Sequence, residues 1–182
     1  MMRTALIVID MQQGLFTGPK HDATGTVARI NRLAERVRAA NGVVIWVQHC
    51  GPEGDAFHPD APGWRLLPEL RPLATDQFVR KTSCDAFLDT DLAEKLVAEN
   101  IMRLIITGCA TDFCVDTTVR SALARRFPTI VPTDGHTTAD RPYLSALKVM
   151  EHHHAIWSDF LSPVGPAKLM QCDEVELTAA KV

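Results

Sequence analysis

Short runs of apolar, mostly β-branched residues recur along the chain, separated by longer stretches whose apolar positions follow a helical period. The runs show no alternation of apolar and polar residues, which is typical of parallel strands covered on both faces. Six strands are therefore predicted: Thr4–Ile9, Val43–Gln48, Gln77–Arg80, Arg103–Thr107, Thr129–Pro132 and Ala155–Trp157.

The intervening stretches predict amphipathic helices. The clearest begins near Thr26, carries one apolar stripe, and is followed by Gly42, a residue suited to the position after a helix end. The predicted helices are Thr26–Asn41, Thr90–Asn100, Val115–Arg126 and Tyr143–His153. Strands that alternate with helices indicate a three-layer α/β/α, Rossmann-like fold with a mostly parallel six-stranded sheet.

One segment, Cys50–Leu73, interrupts this rhythm with prolines, glycines and large aromatic or imidazole side chains. We interpret it as a functional loop with a short helix near Trp64–Leu70 rather than as a domain linker. A chain of 182 residues suits one domain with a full core, so residues 1–182 are predicted to form a single domain.

Composition narrows the class of protein. Acidic and basic residues are interspersed and the net charge is −3, which favours neither a nucleic-acid partner nor a membrane partner. The aliphatic run Ala5–Ile9 is far shorter than the ~20 residues that span a bilayer. Five cysteines without regular spacing argue against a disulfide scaffold or a structural zinc site, and a cytoplasmic location is expected.

The most informative segment for chemistry runs from Ile105 to Val115. An apolar run ends at Gly108, and Cys114 follows where a helix should begin. A helix N-terminus favours a thiolate, and its N–H groups can stabilise an oxyanion. On this segment alone, a buried structural cysteine is an equally good interpretation.

Two charged residues lie at the ends of other predicted strands. Asp10 follows the first strand and Lys81 follows the third, and ligands bind at the carboxyl ends of strands in open α/β sheets. If the strand order reverses beside the first strand, both residues converge with Cys114. Asp10 is then a base for the thiol, and Lys81 stabilises the thiolate. Taken singly, Asp10 is equally well a turn cap and Lys81 a solvated lysine.

The chain resembles the isochorismatase-like cysteine hydrolase superfamily, which includes nicotinamidases and N-carbamoylsarcosine amidohydrolases. The resemblance covers nearly the whole chain and rests on residues 5–12, on residues 79–83 with Phe87, and on residues 108–115 with residues 117–118. It implies a catalytic triad of Asp10, Lys81 and Cys114. It also implies a cis peptide between Cys109 and Ala110, with an oxyanion held by the N–H groups of Ala110 and Cys114.

The chain departs from the metal-dependent nicotinamidases of that superfamily. Those relatives carry an Asp-x-His pair after the second strand, whereas this chain reads Val47-Gln48-His49 and lacks the aspartate. His49 and His58 alone make a poor metal set, so neither a metal nor another cofactor is expected. Nicotinamide is correspondingly disfavoured as the substrate.

A substrate pocket is predicted around the triad. Its tentative lining comprises Phe16, His49, Phe57, Trp64, Cys109 and His136, with His136 at the rim. The aromatic members serve equally well as core residues. The run His152–His154 points in several directions on a helix and is unsuited to chelating one ion.

These features predict hydrolysis of a small amide or related C–N bond through a cysteine thioester. Two alternatives stay open: vinyl-ether hydrolysis of the isochorismatase type, and a small-molecule-binding protein without catalysis. The partners expected are a small-molecule substrate and further copies of the chain in a homodimer or homotetramer, as is usual in the superfamily.

Overall fold

A seven-stranded parallel sheet forms the centre of the computed structural model, which describes residues 3–177. Its strand order is β3-β2-β1-β4-β5-β7, and a short strand, β6, pairs with the end of β4. The strands are β1 (Thr4–Ile9), β2 (Val43–His49), β3 (Gln77–Lys81), β4 (Arg103–Cys109), β5 (Thr129–Pro132), β6 (His136–Thr137) and β7 (Lys168–Met170). The predicted α/β fold with a mostly parallel sheet is confirmed, with seven strands instead of six.

Helices cover both faces of the sheet. They are α1 (Ala23–Ala39), α2 (Leu92–Ala98), α3 (Asp116–Ala124) and α4 (Ala146–Ser158). Alternate residues of β1 enter opposite cores: Leu6 packs in the layer formed with α1, whereas Ile7 packs in the layer formed with α2, α3 and α4. Because both faces are covered, β1 is buried at every position and apolar from Ala5 to Ile9, which is why it lacks alternation.

The predicted strand Ala155–Trp157 is wrong, because these residues are the last turns of α4. Ser145 caps this helix by accepting a hydrogen bond from the Lys148 N–H, and the buried positions Val149, Met150 and Trp157 follow a helical spacing. The short apolar run Ala155–Trp157 therefore continues a helical face. The last strand is instead β7, which pairs with β5.

The long loop between β2 and β3 lacks the helix predicted near Trp64–Leu70. It contains a single 3₁₀ turn, Pro62–Trp64. At the other end of the chain, Cys172 and Val175 are buried against α1, where Arg36 donates hydrogen bonds to both carbonyls. The C-terminal segment through residue 177 thus packs on its own chain. Among the described residues, no helix has the length and apolarity needed to cross a bilayer.

The direction of chain progression reverses between β1 and β4, the two central strands. From β1 the chain proceeds outward to β2 and β3, and from β4 it proceeds outward to β5 on the other side. Loops leaving the carboxyl ends of β1 and β4 therefore separate and open a crevice. Asp10 and Cys114, two residues of the predicted triad, lie at this crevice.

Candidate active site

Asp10 is the first residue after β1. Its backbone is in the left-handed region, with φ of 48°, and its N–H donates to the Val47 carbonyl of β2 at 2.9 Å. The side chain is only 1% exposed. Neither carboxylate oxygen accepts an aligned hydrogen bond from any residue between 3 and 177. The carboxylate is thus buried at the carboxyl end of β1.

Lys81 is the last residue of β3, and its side chain is also buried, at 2% exposure. Its Nζ lies 2.6 Å from Asp10 Oδ2, an ion pair whose approach lies outside hydrogen-bond geometry. The ammonium donates to the Ser83 carbonyl at 2.9 Å and to Cys114 Sγ at 3.3 Å. Lys81 therefore connects the carboxylate to the thiol.

Cys114 lies in a π-helical turn, Thr111–Val115, that joins β4 to α3. The approach to this turn depends on Gly108, which has φ of 121° and pairs with Ile9 in the sheet. A Cβ on Gly108 would lie 2.1 Å from the Ile9 carbonyl oxygen, so only glycine fits. The following peptide bond, between Cys109 and Ala110, is cis.

Burial sets the proton affinities of the three groups. Burial raises the pKa of the Asp10 carboxyl and outweighs the opposing charge of Lys81. Burial and the Asp10 charge raise the pKa of the Cys114 thiol, although the Lys81 charge opposes this rise. For Lys81, burial disfavours the ammonium, but the charges of Asp10 and Cys114 outweigh it and raise its pKa. The resting site pairs a protonated thiol with a carboxyl of increased proton affinity.

A cavity of about 750 Å³ opens onto the thiol. Asp10, Cys114 and the predicted oxyanion residue Ala110 all line it. Of the residues predicted for the pocket, His49, Phe57 and Cys109 contribute to the lining, and the His49 and Phe57 rings meet edge to face at 5.9 Å. The volume suits a small organic substrate.

Phe16 and Trp64 do not line this cavity. Phe16 contributes to a separate groove beside α1. Trp64 lies behind the cavity wall, where its Nε1 donates to Cys50 Sγ at 3.2 Å and the Arg80 guanidinium lies 5.1 Å from its ring centroid. Their assignment to the pocket is therefore corrected: both lie beside the site rather than in contact with a bound molecule.

His136 is fully buried and does not form the cavity rim. Its Nδ1 is 2.8 Å from Thr111 Oγ1, and its Nε2 is 2.9 Å from His154 Nε2. The prediction failed because β6 turns this side chain inward, toward α4, rather than toward the crevice. His136 instead supports the π-helical turn that carries Cys114, and His154 is the one member of the histidine run that contacts it.

Sequence reasoning missed the role of Gln12. Its buried side chain donates to the carbonyls of His49 at 3.0 Å and Trp64 at 2.8 Å and accepts from the His49 N–H at 2.8 Å. Gln12 therefore joins the end of β2 to the long loop over the cavity. A polar residue three positions after a buried strand was the available signal, but its partners are distant in sequence.

Two cations in the cavity wall were also missed. Lys20 and Arg141 both line the cavity, and Arg141 makes a bidentate ion pair with Asp112 at 2.7 and 2.9 Å. Both cations come from irregular segments without a periodic pattern. Within residues 3–177, no cluster of three or more histidine, cysteine, aspartate or glutamate side chains is placed to hold a metal ion.

Residues 4–159 match the family model of the isochorismatase domain. The chain belongs to the isochorismatase family. The crystal structure of an isochorismatase from Pseudomonas putida KT2440 superposes with a TM-score of 0.87 at 27% identity, covering 96% of this chain and 90% of that chain.

Similar proteins include one named as an amidohydrolase and one named as a hydrolase. Ureidoacrylate amidohydrolase RutB from Methylorubrum extorquens is 32% identical over 180 residues, which covers 78% of this chain and 72% of that protein. Streptothricin hydrolase from Streptomyces noursei is 34% identical over 140 residues, covering 76% of this chain and 56% of that protein. The chain spans about half the length of the streptothricin hydrolases that it matches.

Proposed function

We propose that this protein hydrolyses the C–N bond of a small amide through a thioester on Cys114. The observation that carries the proposal is the contact of Lys81 with both Asp10 and Cys114 beside one cavity. This arrangement combines a base, a cation and a nucleophile, which are the groups that cysteine-dependent acyl transfer requires. The names of the amidohydrolase relatives support the same reaction class.

In the first half of the proposed reaction, Asp10 accepts the thiol proton as Cys114 Sγ attacks the carbonyl carbon. The raised pKa of Asp10 assists this transfer, and Lys81 stabilises the forming thiolate. The negative charge on the carbonyl oxygen is held by the N–H groups of Ala110 and Cys114. Collapse of the tetrahedral intermediate breaks the C–N bond, and Asp10 returns the proton to the departing nitrogen.

In the second half, water attacks the thioester and gives its proton to Asp10. Breaking the C–S bond releases the carboxylic acid, and Asp10 returns the proton to the Cys114 sulfur. One water is consumed for each amide cleaved. No group outside the chain is needed for these steps, because Asp10 alternates between base and acid.

The test is release of ammonia or amine from a panel of small primary amides and N-substituted ureas. We expect Cys114→Ala to lower turnover by about four orders of magnitude or more while the protein stays folded. Cys172→Ala is a matched control, because Cys172 is a buried thiol on the opposite side of the sheet from α3 and outside the cavity. Unchanged hydrolysis in Cys114→Ala would contradict the mechanism, because the amide bond would then be cleaved without a thiol nucleophile.

A further inference from the structure

Two cations lie in one part of the cavity wall and take no part in the proposed triad. Lys20 precedes α1 and Arg141 precedes α4, and both are partly buried. A hydrogen bond from the His21 N–H to the Thr138 carbonyl, at 2.9 Å, joins their two segments. Both charges also act on Cys109, where they oppose the rise of the thiol pKa to about 12 that burial causes. The two cations therefore come from joined segments that both line the cavity.

The guanidinium of Arg141 is held by hydrogen bonds through two of its three nitrogen atoms. Its Nε and Nη2 bind the Asp112 carboxylate, and its planar group lies 5.0 Å from the Phe113 ring centroid. Nη1 donates to no protein atom within residues 3–177. Because the other contacts orient the group, Nη1 is held in place in the wall of the cavity.

The ammonium of Lys20 has no anionic partner in the described part of the chain. Its polar contact is a long one, 3.5 Å to the Gly18 carbonyl, and it lies 5.7 Å from the Phe16 ring centroid. An ammonium with few protein acceptors and no anion beside it is available to bind an anionic group of a ligand. Lys20 is thus the uncompensated charge of this wall.

Two carboxylates also line the cavity, and one of them, Asp10, is paired with Lys81. Asp55 also lines the cavity, but it is exposed and its Oδ1 already accepts from the Phe57 N–H at 2.7 Å. Burial lowers the pKa of His49, which keeps this imidazole neutral at neutral pH. Arg141 is paired with Asp112, so Lys20 carries the charge of the cavity wall that no close anion within residues 3–177 balances, and His49 and Phe57 form a largely neutral surface.

We propose that Lys20 and Arg141 form an anion subsite and that the substrate is a small amide bearing a carboxylate. This inference rests on the proposed function for the scissile bond, whereas the subsite itself rests on the two cations. A carboxylate held there anchors the substrate at a point away from the bond that breaks. Such an anchor orients the carbonyl toward the nucleophile and uses binding energy from the unreactive part of the molecule.

The test combines turnover with a reaction that needs no turnover. Hydrolysis of succinamate is compared with that of butyramide, its neutral analogue, by ammonia release. Alkylation of Cys114 by iodoacetate is compared with alkylation by iodoacetamide, with the modified residue identified by mass spectrometry. We expect the ratio of kcat/KM for succinamate to that for butyramide to be about tenfold higher in wild type than in Lys20→Met. The ratio of the alkylation rates with iodoacetate and with iodoacetamide should also be about tenfold higher in wild type.

Three variants locate the effect. Lys20→Arg keeps the charge and should retain the preference for the anionic member, whereas Lys20→Met should lose it. Lys168→Met is the matched control, because Lys168 is an exposed lysine on β7 away from the cavity, and it should behave as wild type. Equal preferences in wild type and Lys20→Met would overturn the subsite. A retained preference for iodoacetate without hydrolysis of any amide would overturn the proposed function and leave the subsite supported.

Discussion

Lys81 is a buried cation paired with the buried Asp10 carboxylate, so its replacement should lower the stability of the fold. Replacing it with Met leaves the Asp10 carboxylate buried without a cation, and breaking a buried ion pair in this way costs about 3–5 kcal/mol. We expect urea denaturation of Lys81→Met to show a loss of that order. The double variant Asp10→Asn with Lys81→Met removes both charges and should lose less. A change within about 0.5 kcal/mol in Lys81→Met would mean that Lys81 is solvated.

The thiol of Cys114 provides a second residue-level prediction. Its pKa is raised by burial and by Asp10 and lowered by Lys81. Iodoacetamide labelling of Cys114 should therefore begin at higher pH in Lys81→Met than in wild type, and at lower pH in Asp10→Asn. The Asp10→Asn variant should combine this more reactive thiol with lost turnover, because the base is gone. Coincident labelling curves for the three proteins would show that neither charge acts on the thiol.

At the scale of single residues, the sequence located positions better than orientations. Asp10 and Lys81 were predictable because a polar residue that ends a buried apolar strand must emerge at the carboxyl edge of the sheet. His136 also follows a strand, yet its side chain turns into the protein. The direction of that side chain is set by the pairing of β6 with β4 and by the position of His154 on α4, which no local pattern encodes.

Among the contacts between elements, the close approach of β4 to β1 requires a glycine at position 108. Gly108→Ala combines a left-handed φ with a Cβ that meets the Ile9 backbone at 2.1 Å. Gly54→Ala is a matched control, because Gly54 also has positive φ, at 83°, but has open space around it. We expect Gly54→Ala to cost about 1–2 kcal/mol and Gly108→Ala to cost clearly more and to impair activity. Equal losses of stability, measured by thermal denaturation, would contradict the close approach of the strands.

The contact between β6 and α4 predicts a dependence of stability on pH. Burial lowers the pKa of both His136 and His154 below the ordinary 6.5, so both are neutral in the fold. The unfolded chain binds protons first as the pH falls through 6.5. The neutral pair therefore stabilises the fold above pH 6.5. As the pH falls below 6.5, the free energy of unfolding decreases by up to about 1.4 kcal/mol per pH unit for each group.

The measurement is the free energy of unfolding between pH 7.5 and pH 5.5, roughly one unit on either side of the ordinary histidine pKa. His136→Gln should flatten the decline, whereas His152→Gln, at an exposed position of the same helix as His154, should not. Equal slopes in wild type and His136→Gln would show that the buried imidazole titrates as it does in the unfolded chain.

The prediction of strands was clearest where burial covers both faces. Strands β1, β2, β4 and β5 contain short apolar runs, whereas the edge strand β3 was recognised although its burial alternates. The end of α4 was misassigned because Ala155–Trp157 is short and apolar as well, and only its spacing from Val149 and Met150 reveals the helical face. Strand β7 is exposed at its first residue and too short to stand out.

For the molecule as a whole, the sequence indicated how the chain is layered but not where the cavity boundaries lie. Strand alternation with helices implied the parallel sheet, and the reversal of strand order between β1 and β4 explains why distant strand ends converge. The wall formed by Lys20 and Arg141 arises from two loops that meet only after folding. Long-range contacts of this kind leave no periodic signal in the sequence.

The predicted homodimer or homotetramer stays a prediction about the whole molecule. Cys172 and Val175 in the C-terminal segment are not available for an interface, because they pack on α1 of the same chain. Tyr143 and Leu161, by contrast, are 96% and 94% exposed. Light scattering at micromolar concentration should return a mass of at least two chains, and the mass of a single chain would contradict assembly. The absence of a cofactor and the cytoplasmic location likewise stay predictions.

The account as a whole depends on Cys114 acting as a covalent nucleophile. The most direct measurement is mass spectrometry of protein quenched during turnover of an amide that it hydrolyses. The account predicts a mass increase equal to the acyl group, located on Cys114 by peptide mapping and absent from Cys114→Ala. It also predicts that hydroxylamine removes the adduct, as expected of a thioester. Steady turnover with no adduct on Cys114, or an adduct on another residue, would contradict the mechanism.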